Sequence, residues 1–370
     1  MSRLRVAIVQ EYVPRYRVKL FTGLINRLCD FDIDCFVVAG HPGGAQAVRG
    51  DAAEDLEWLR LADPRRIEVG NRTIRFYGSD KHWRDCDGVV MELRGTSLDL
   101  HRELLIKRFS GRRVGVWGHV KPFTNPGHPV DLAVERRQMR RSDHVFAYTK
   151  SGAEFARAAG VETANVTPVM NSTDVSNVLK TYESLQPEEI GKFQERHGLT
   201  PGKTFGYIGG LDASKRVDFL VDVLDVLWQL DPAVKVLIGG KGDQENLLSP
   251  AAQRGQAILL GYVGAQDKAM ISRVSQGLLN PGRVGLLAVE CIALGVPILS
   301  TDWEFHAPEY EYLTPGDDVF VSHNGVKSYA ELVLSRTSDN GEVRHHQAKQ
   351  YPSIDDMILN FTEGIKSMMA

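Results

Sequence analysis

The chain has 370 residues and a mass of 41.1 kDa, room for two domains of ordinary size or one very large one. A hydrophobic fraction of 43% and a charged fraction of 25% exclude disorder, collagen and coiled coil as the main architecture. The net charge of −3 and a pI of about 6.4 give no overall basic character that would suggest nucleic acid.

Arg5 to Gln10 is a short β-branched run and reads as a strand. Val18 to Leu28 follows with helical spacing, and Phe31 to Ala39 is a second strand ending at Gly40. The pattern repeats with strand Gly88 to Met91, helix Leu98 to Phe109 and strand Arg113 to Val116. Strands His144 to Tyr148 and Val166 to Met170 flank the helix Ser151 to Ala159. The polar stretch from Asn171 to Gly202, with Pro187 and Pro201, interrupts the alternation and reads as a boundary holding one helix. A second run then alternates strands Thr204 to Ile208, Val234 to Ile238, Ile258 to Gly261, Gly277 to Leu279 and Pro297 to Ser300 with helices Val217 to Leu230, Asp243 to Ala252, Gln266 to Val274 and Gly285 to Leu294. Tyr351 to Met369 reads as a last helix. Alternation of this kind predicts two tandem doubly wound α/β domains, Rossmann-like, with a cleft between the carboxyl ends of their strands.

No apolar run reaches the ~18 uncharged residues of a membrane span. The longest, Val284 to Leu299, contains Glu290 and Pro297. The opening MSRLRVAIVQEYVPRYR lacks a small-residue cleavage site, so no secretion signal is expected. Cys29, Cys35, Cys86 and Cys291 lack CxxC spacing and read as small core residues of a reducing compartment, so the expected location is cytoplasmic. Residues 1–180 carry 28 Lys and Arg against 22 Asp and Glu, a net of +6, and the remainder carries 16 against 25, a net of −9. The pairs Lys107-Arg108, Arg112-Arg113, Arg136-Arg137 and Arg140-Arg141 are either solvated helix faces or a basic face for an anionic acceptor or peripheral contact with an anionic membrane.

The chemistry of such folds sits on loops directly after strands. After Ile208 the chain turns at Gly209 and Gly210, Ser214 is placed to cap the next helix, and Lys215 and Arg216 offer paired cations suited to a diphosphate. KVLIGGKGD (Lys235 to Asp243) and AILLGYV (Ala257 to Val263) again run from strand into glycine. In LNPGRVGLLAVECIALGVPIL, the N–H groups of Gly285, Leu286 and Leu287 would form an anion site at a helix start. Glu290 on that helix can accept two hydrogen bonds from vicinal hydroxyls, as ribose presents. In the first half, His119 follows a strand and Gly118, and the loop Tyr12 to Phe21 brings Arg15, Tyr16 and Arg17 to the acceptor side of the cleft.

Taken in order, these elements resemble the GT-B glycosyltransferases of family 4, also called glycosyl transferases group 1. YIGGLDASKRVDFL is similar to the family's diphosphate loop, IGGKGD to its glycine-rich strand end, LLGYV to the segment meeting the base, and PGRVGLLAVECIALGVPILSTD to the signature holding donor sugar and ribose. VGVWGHV resembles its Trp-Gly-His element, and TKSGAEFARAAG with VMNSTD the end of its acceptor domain. The resemblance implies an acceptor-binding domain over 1–175, a linker over 176–199, a donor-binding domain over 200–345 and a helix over 351–370 packing back on the first domain. It implies that Lys215 holds the donor diphosphate, Glu290 the ribose and Val263 the base through its backbone, that His119 faces the donor sugar, and that Asn171 matches an Asn preceding Gly-x-Asp. The activity implied is sugar transfer from a nucleotide diphosphate sugar to a saccharide or lipid-linked saccharide hydroxyl, with retention, in polysaccharide or glycoconjugate biosynthesis. The alternatives are a sugar-nucleotide epimerase of the same fold, a two-domain sugar-binding protein, or a catalytically silent partner subunit.

Three departures accompany the resemblance. Gly282 stands where the family has the first glutamate of its pair, Gly210 where it has an arginine, leaving Arg216 as substitute, and Ser172 where it has a glycine. Glu309, in HAPEYEYL, is a candidate for the displaced contact. The runs Asp30 to Asp34 and Asp85 to Asp87 match a bare Asp-x-Asp pattern, but the first lies at the start of a strand, the wrong end for a ligand site, and His345-His346 reads as solvated, so neither a metal nor another cofactor is expected.

Overall fold

Strand–helix alternation dictates parallel pairing, because each crossover helix returns the chain to the same sheet edge. We describe the protein from a computed structural model covering residues 3–43, 51–69, 72–123, 129–343, 345 and 349–370. It divides into two units, Met1–Thr173 with Pro352–Ala370, and Asp174–Tyr351.

The first unit contains β1 (Leu4–Gln10), α1 (Val18–Cys29), β2 (Ile33–Ala39), β3 (Leu59–Leu61), the antiparallel hairpin β4 (Arg65–Val69) and β5 (Arg72–Phe76), β6 (Gly88–Glu92), α2 (Leu98–Ser110), β7 (Arg113–Gly118), α3 (Pro129–Arg141), β8 (His144–Ala147), α4 (Lys150–Ala158) and β9 (Val166–Pro168). Its parallel sheet runs β3-β2-β1-β6-β7-β8-β9. The second unit contains α5 (Ser176–Ser184), α6 (Pro187–Arg196), β10 (Thr204–Ile208), α7 (Val217–Leu230), β11 (Lys235–Gly239), α8 (Ser249–Gln253), β12 (Ala257–Gly261), α9 (Ala265–Val274), β13 (Leu278–Leu279), α10 (Leu287–Leu294), β14 (Ile298–Thr301), β15 (Val319–Ser322) and α11 (Val326–Ser335), with sheet order β12-β11-β10-β13-β14-β15. The chain ends in α12 (Ile354–Met369), which packs on α1, β8 and β9 of the first unit.

Both sheets are buried on two faces. In β1, Val6 and Ile8 join one core with Leu20 and Leu24, while Ala7 and Val9 join the opposite core with Leu100 and Val116. From α12, Phe361 stacks on Phe146 at 4.7 Å and meets Trp117 edge-on at 5.0 Å. In β10, Phe205 and Tyr207 pack with α7 residues, while α9 closes over Gly206 on the other face.

The segment 176–199 is not a linker. It forms α5 and α6, and Val178, Tyr182, Leu185 and Leu199 bury their side chains in the second unit's core beside α9. The basic pairs also divide. Arg112 is buried, donating to Glu103 at 2.5 Å and to the carbonyls of Cys86 and Arg84, and Lys107 and Arg113 pair with Asp143. His345 is half-buried between the Tyr182 hydroxyl and the Ser275 carbonyl, each at 2.8 Å, whereas His346 lies outside the described residues.

One buried histidine in each unit sets an acid limit. Burial pushes His144 and His306 down to about 4 from 6.5. The folded protein therefore binds fewer protons than the unfolded chain between these values, so stability is fully present above about pH 6.5 and is lost as pH falls. Each site can contribute up to about 3 kcal/mol. The thermal midpoint should fall between pH 6.5 and 5, and His144→Gln with His306→Gln should flatten that slope. A midpoint constant over this interval would contradict the assignment.

Candidate functional site

The carboxyl edge of the second sheet is built by two loops joined through backbone. After β10, the Asp212 carboxylate accepts hydrogen bonds from the Ser214 N–H (2.9 Å) and Ser214 hydroxyl (2.5 Å), starting a 3-10 turn over Ala213–Lys215. Ser214 thus serves this turn and does not cap α7, whose first turn follows Arg216 in the left-handed region at φ +57°. The second loop follows β13. Arg283 N–H donates to Ser214 O at 2.9 Å, and Lys215 Nζ donates to Arg283 O. Arg216 Nη1 donates to Pro281 O (3.1 Å) and Thr301 Oγ1 (3.3 Å), and its guanidinium lies over Phe219 at 4.1 Å. Burial lowers the Arg216 pKa, and no carboxylate among the described residues lies within ion-pair distance of it.

This joint explains Gly282. A Cβ there would stand 2.5 Å from the Lys215 carbonyl carbon and 2.7 Å from Ser214 O, so only glycine permits the two loops to meet. The glycines after β11 have the same cause: a Cβ on Gly242 would lie 2.1 Å from Leu211 O. Gly209 N–H is taken by Gly239 O at 3.0 Å, so it is not available to a diphosphate as the sequence reading expected.

The helix α10 starts at Leu287, two residues later than the sequence suggests, because Ala288 and Val289 N–H turn back to Gly285 O and Leu286 O. The N–H groups of Gly285, Leu286 and Leu287 have no acceptor among the described residues. Just before them, Val284 N–H donates to His306 Nδ1 at 3.2 Å, which fixes the neutral ring with its proton on Nε2. His306 stacks on Tyr310 at 3.9 Å. The sequence reading passed over His306, although its neighbour Glu309, also buried, was singled out. Glu290 stands in the first turn of α10 and accepts from Lys268 Nζ of α9 at 2.6 Å, an ion pair that orients the carboxylate. Val263 is buried, and its side chain fills the space that a Cβ on Gly239 would occupy.

In the first unit, His119 follows β7, and its ring meets Tyr148 edge-on at 5.0 Å. Val120 beside it is held at φ +68°, costly for a β-branched residue. Met170, just before Asn171, has φ +59°, and Asn171 N–H donates to Tyr148 O at 2.7 Å. Three of the five non-glycine residues in left-handed conformation among the described residues, Val120, Met170 and Arg216, thus follow strands at candidate positions. Arg17 is not a loop cation facing an acceptor. It is 5% exposed, with its guanidinium 5.2 Å from the Trp117 ring and 5.6 Å from that of Tyr148. Arg15 and Tyr16 remain exposed.

A cavity that the sequence did not reveal opens beside β1 and β6, the point where strand order reverses. Gln10, Glu11, Arg75, Tyr77, Arg94 and Asp99 line it. Glu11 pairs with Arg75 and lies 3.8 Å from Arg66 and 4.0 Å from Arg94, while Asp99, raised by burial, accepts from Tyr77 N–H at 2.7 Å. The aspartate triplets are engaged elsewhere: Asp32 and Asp34 pair with Arg3 and Arg5, and Asp87 accepts from Arg5 N–H. No group of three His, Cys, Asp or Glu among the described residues is placed to hold a metal ion.

The family model for glycosyl transferases group 1 matches residues 202–339. No curated protein sequence matches the chain at a significant level. Among solved structures, Anabaena HepE in complex with UDP-glucose is similar at TM-score 0.66 and 14% identity, over 98% of this chain and 100% of that one. A glycosyltransferase from Rickettsia africae is similar at TM-score 0.68 and 11% identity, over 100% and 99%. A putative UDP-N-acetylglucosamine 2-epimerase from Listeria monocytogenes is similar at 0.61 and 13%, over 99% and 96%. At such identities the structural likeness carries the fold, and the family model speaks for residues 202–339. The chain therefore has the GT-B fold, and its residues 202–339, within the second unit, match the family model for glycosyl transferases group 1.

Proposed function

We propose that the chain moves a sugar from a nucleotide diphosphate sugar to a hydroxyl of a saccharide or lipid-linked saccharide, with retention and without a metal or other cofactor. The observation that carries this reading is the joint between the Ser214–Arg216 and Pro281–Arg283 loops, with two cations bound to carbonyls beside the open N–H groups before α10. Charge grows on the leaving diphosphate only as the glycosidic bond breaks, so donors fixed there stabilise the transition state more than the ground state. In this reading Lys215, Arg216 and the α10 start take the diphosphate, Glu290 and Val263 the nucleoside, and His119 the transferred sugar. The acceptor hydroxyl attacks from the leaving-group face and passes its proton to a diphosphate oxygen. The cavity beside β1 and β6 is the candidate acceptor site.

The test is a thermal-shift series with nucleoside diphosphates, starting from UDP because the HepE structures hold it. A rise in midpoint with one diphosphate, absent with free sugars, is expected. No response to any diphosphate would refute the reading. An epimerase would interconvert the donor sugar without an acceptor, which product analysis detects. Transfer should also continue in EDTA. A loss of activity that added divalent ion restores would assign the leaving-group role to a metal.

A further inference from the structure

On α2 the usual arrangement of a surface helix is reversed along one stripe. Leu98, Leu105 and Phe109 are 46%, 64% and 91% exposed. Spacings of seven and four residues place them within about 40° of one another, along about 16 Å of helix. The carboxylates of the same helix point inward: Asp99 and Glu103 are buried, and Glu103 is bonded to Arg112 and to Trp83 Nε1. Single exposed apolar residues are ordinary, but an aligned stripe is not.

Helix α3 packs beside α2, with Gln138 Nε2 donating to Arg94 O next to His101. Its exposed residues include Val130, Arg136, Arg137, Arg140 and Arg141. Every fully exposed charge on the two helices is positive, since Asp131 and Glu135 are half-buried and burial raises the Glu135 pKa. Arg108, Arg137, Arg140 and Arg141 have no ion-pair partner among the described residues. The combination of an aligned apolar stripe with a rim of positive charge matches the layered chemistry of a lipid surface. On an anionic bilayer, aliphatic and aromatic side chains enter the acyl boundary while arginines meet lipid phosphates.

We propose that the α2–α3 face docks the first unit on an anionic membrane surface, with Leu105 and Phe109 as the inserted residues. The proposal deepens the lipid-linked acceptor reading, but vesicle binding is measured without nucleotide or acceptor, so the two can fail separately. The experiment is co-sedimentation of the full chain with vesicles of phosphatidylcholine alone or mixed equally with phosphatidylglycerol, at low and high salt. The expected result is binding only to the mixed vesicles, weakened by salt. Leu105→Ser with Phe109→Ser should reduce it at least about tenfold, and Arg137→Ala with Arg140→Ala and Arg141→Ala should reduce it and flatten its salt dependence. These exposed positions should leave the thermal midpoint unchanged. Equal binding to both vesicle types, or binding unaffected by either variant, overturns the proposal. So does a concentration-dependent dimer that Leu105→Ser with Phe109→Ser dissolves, which would make the face an interface between copies.

Discussion

Replacing Gly282 with alanine is expected to abolish nucleotide binding at ordinary concentrations and to destabilise the second unit. The added Cβ would overlap the carbonyl carbon of Lys215 and the carbonyl oxygens of Ser214 and Lys215, which are backbone atoms and cannot swing away like a flexible side chain. Relief requires the two loops to separate, breaking the hydrogen bond from Arg283 N–H to Ser214 O and drawing Lys215 Nζ from Arg283 O. Overpacking of this kind costs about 1–3 kcal/mol. Lys215→Ala separates the two consequences. It removes one cation and its hydrogen bond to Arg283 O but leaves the backbone bond from Arg283 N–H to Ser214 O, so it should weaken diphosphate binding by roughly 1.5–3 kcal/mol, about 10- to 100-fold, while the thermal midpoint falls less than in Gly282→Ala. Gly282→Glu, which installs the residue common in the family at this position, should behave like Gly282→Ala, with no gain of activity. Calorimetric titration of the nucleoside diphosphate, paired with thermal unfolding, checks all three. Normal affinity in Gly282→Ala would show that the joint does not form the site.

The strand ends and their glycines could be read from the chain because periodicity records which face an element buries, and turns need particular residues. Lys215, Arg216, Glu290 and His119 stand out as candidates this way, each on a loop after a strand or on the helix that follows one. What those groups touch was not legible. Lys215 and Arg283 are 68 residues apart, and no local pattern encodes that one will bind the other's carbonyl. The glycines of KVLIGGKGD suggested a cradle for phosphate, yet Gly242 is demanded by the Leu211 carbonyl, a neighbour only in the folded sheet.

The misreadings share that cause. Arg112 and Arg17 were counted as surface cations because composition cannot show that Glu103 is turned inward or that Trp117 and Tyr148 form a ring-lined slot. Similarly, 176–199 looked like a linker because its exposed positions are strongly polar, although four apolar positions anchor it in the core. The hairpin β4–β5 and the cavity it borders were invisible because arginines on both strands mask any alternation. Glu11 pairs with or approaches the two that face each other, Arg66 and Arg75.

His119→Ala and Glu290→Ala are expected to fail in different ways, and that difference tests the assigned roles most directly. Glu290 is proposed to hold the nucleoside, a part of the donor that is unchanged by the reaction. Its loss should raise the donor KM and the inhibition constant of the free nucleoside diphosphate together, about 10-fold or more, because it contributes equally to ground and transition states. Lys268→Met should show the same pattern more weakly, since Lys268 orients the Glu290 carboxylate without being assigned a contact of its own. His119 is proposed to meet the transferred sugar, which the nucleoside diphosphate lacks. Its loss should lower kcat by at least about 10-fold while product affinity stays within about twofold of the parent. The strained Val120 next to it gives a comparison: it is buried in the first unit's core, so Val120→Gly relieves the backbone cost at φ +68° but removes an apolar side chain and frees the backbone, and a lower kcat with a lower thermal midpoint is expected. Steady-state kinetics with varied donor, together with calorimetry of the diphosphate, separate these outcomes. An intact kcat in His119→Ala removes the histidine from the reaction, and unchanged diphosphate affinity in Glu290→Ala removes the glutamate from the nucleoside site. If both variants bind and turn over like the parent with the fold intact, the donor site lies elsewhere in the protein.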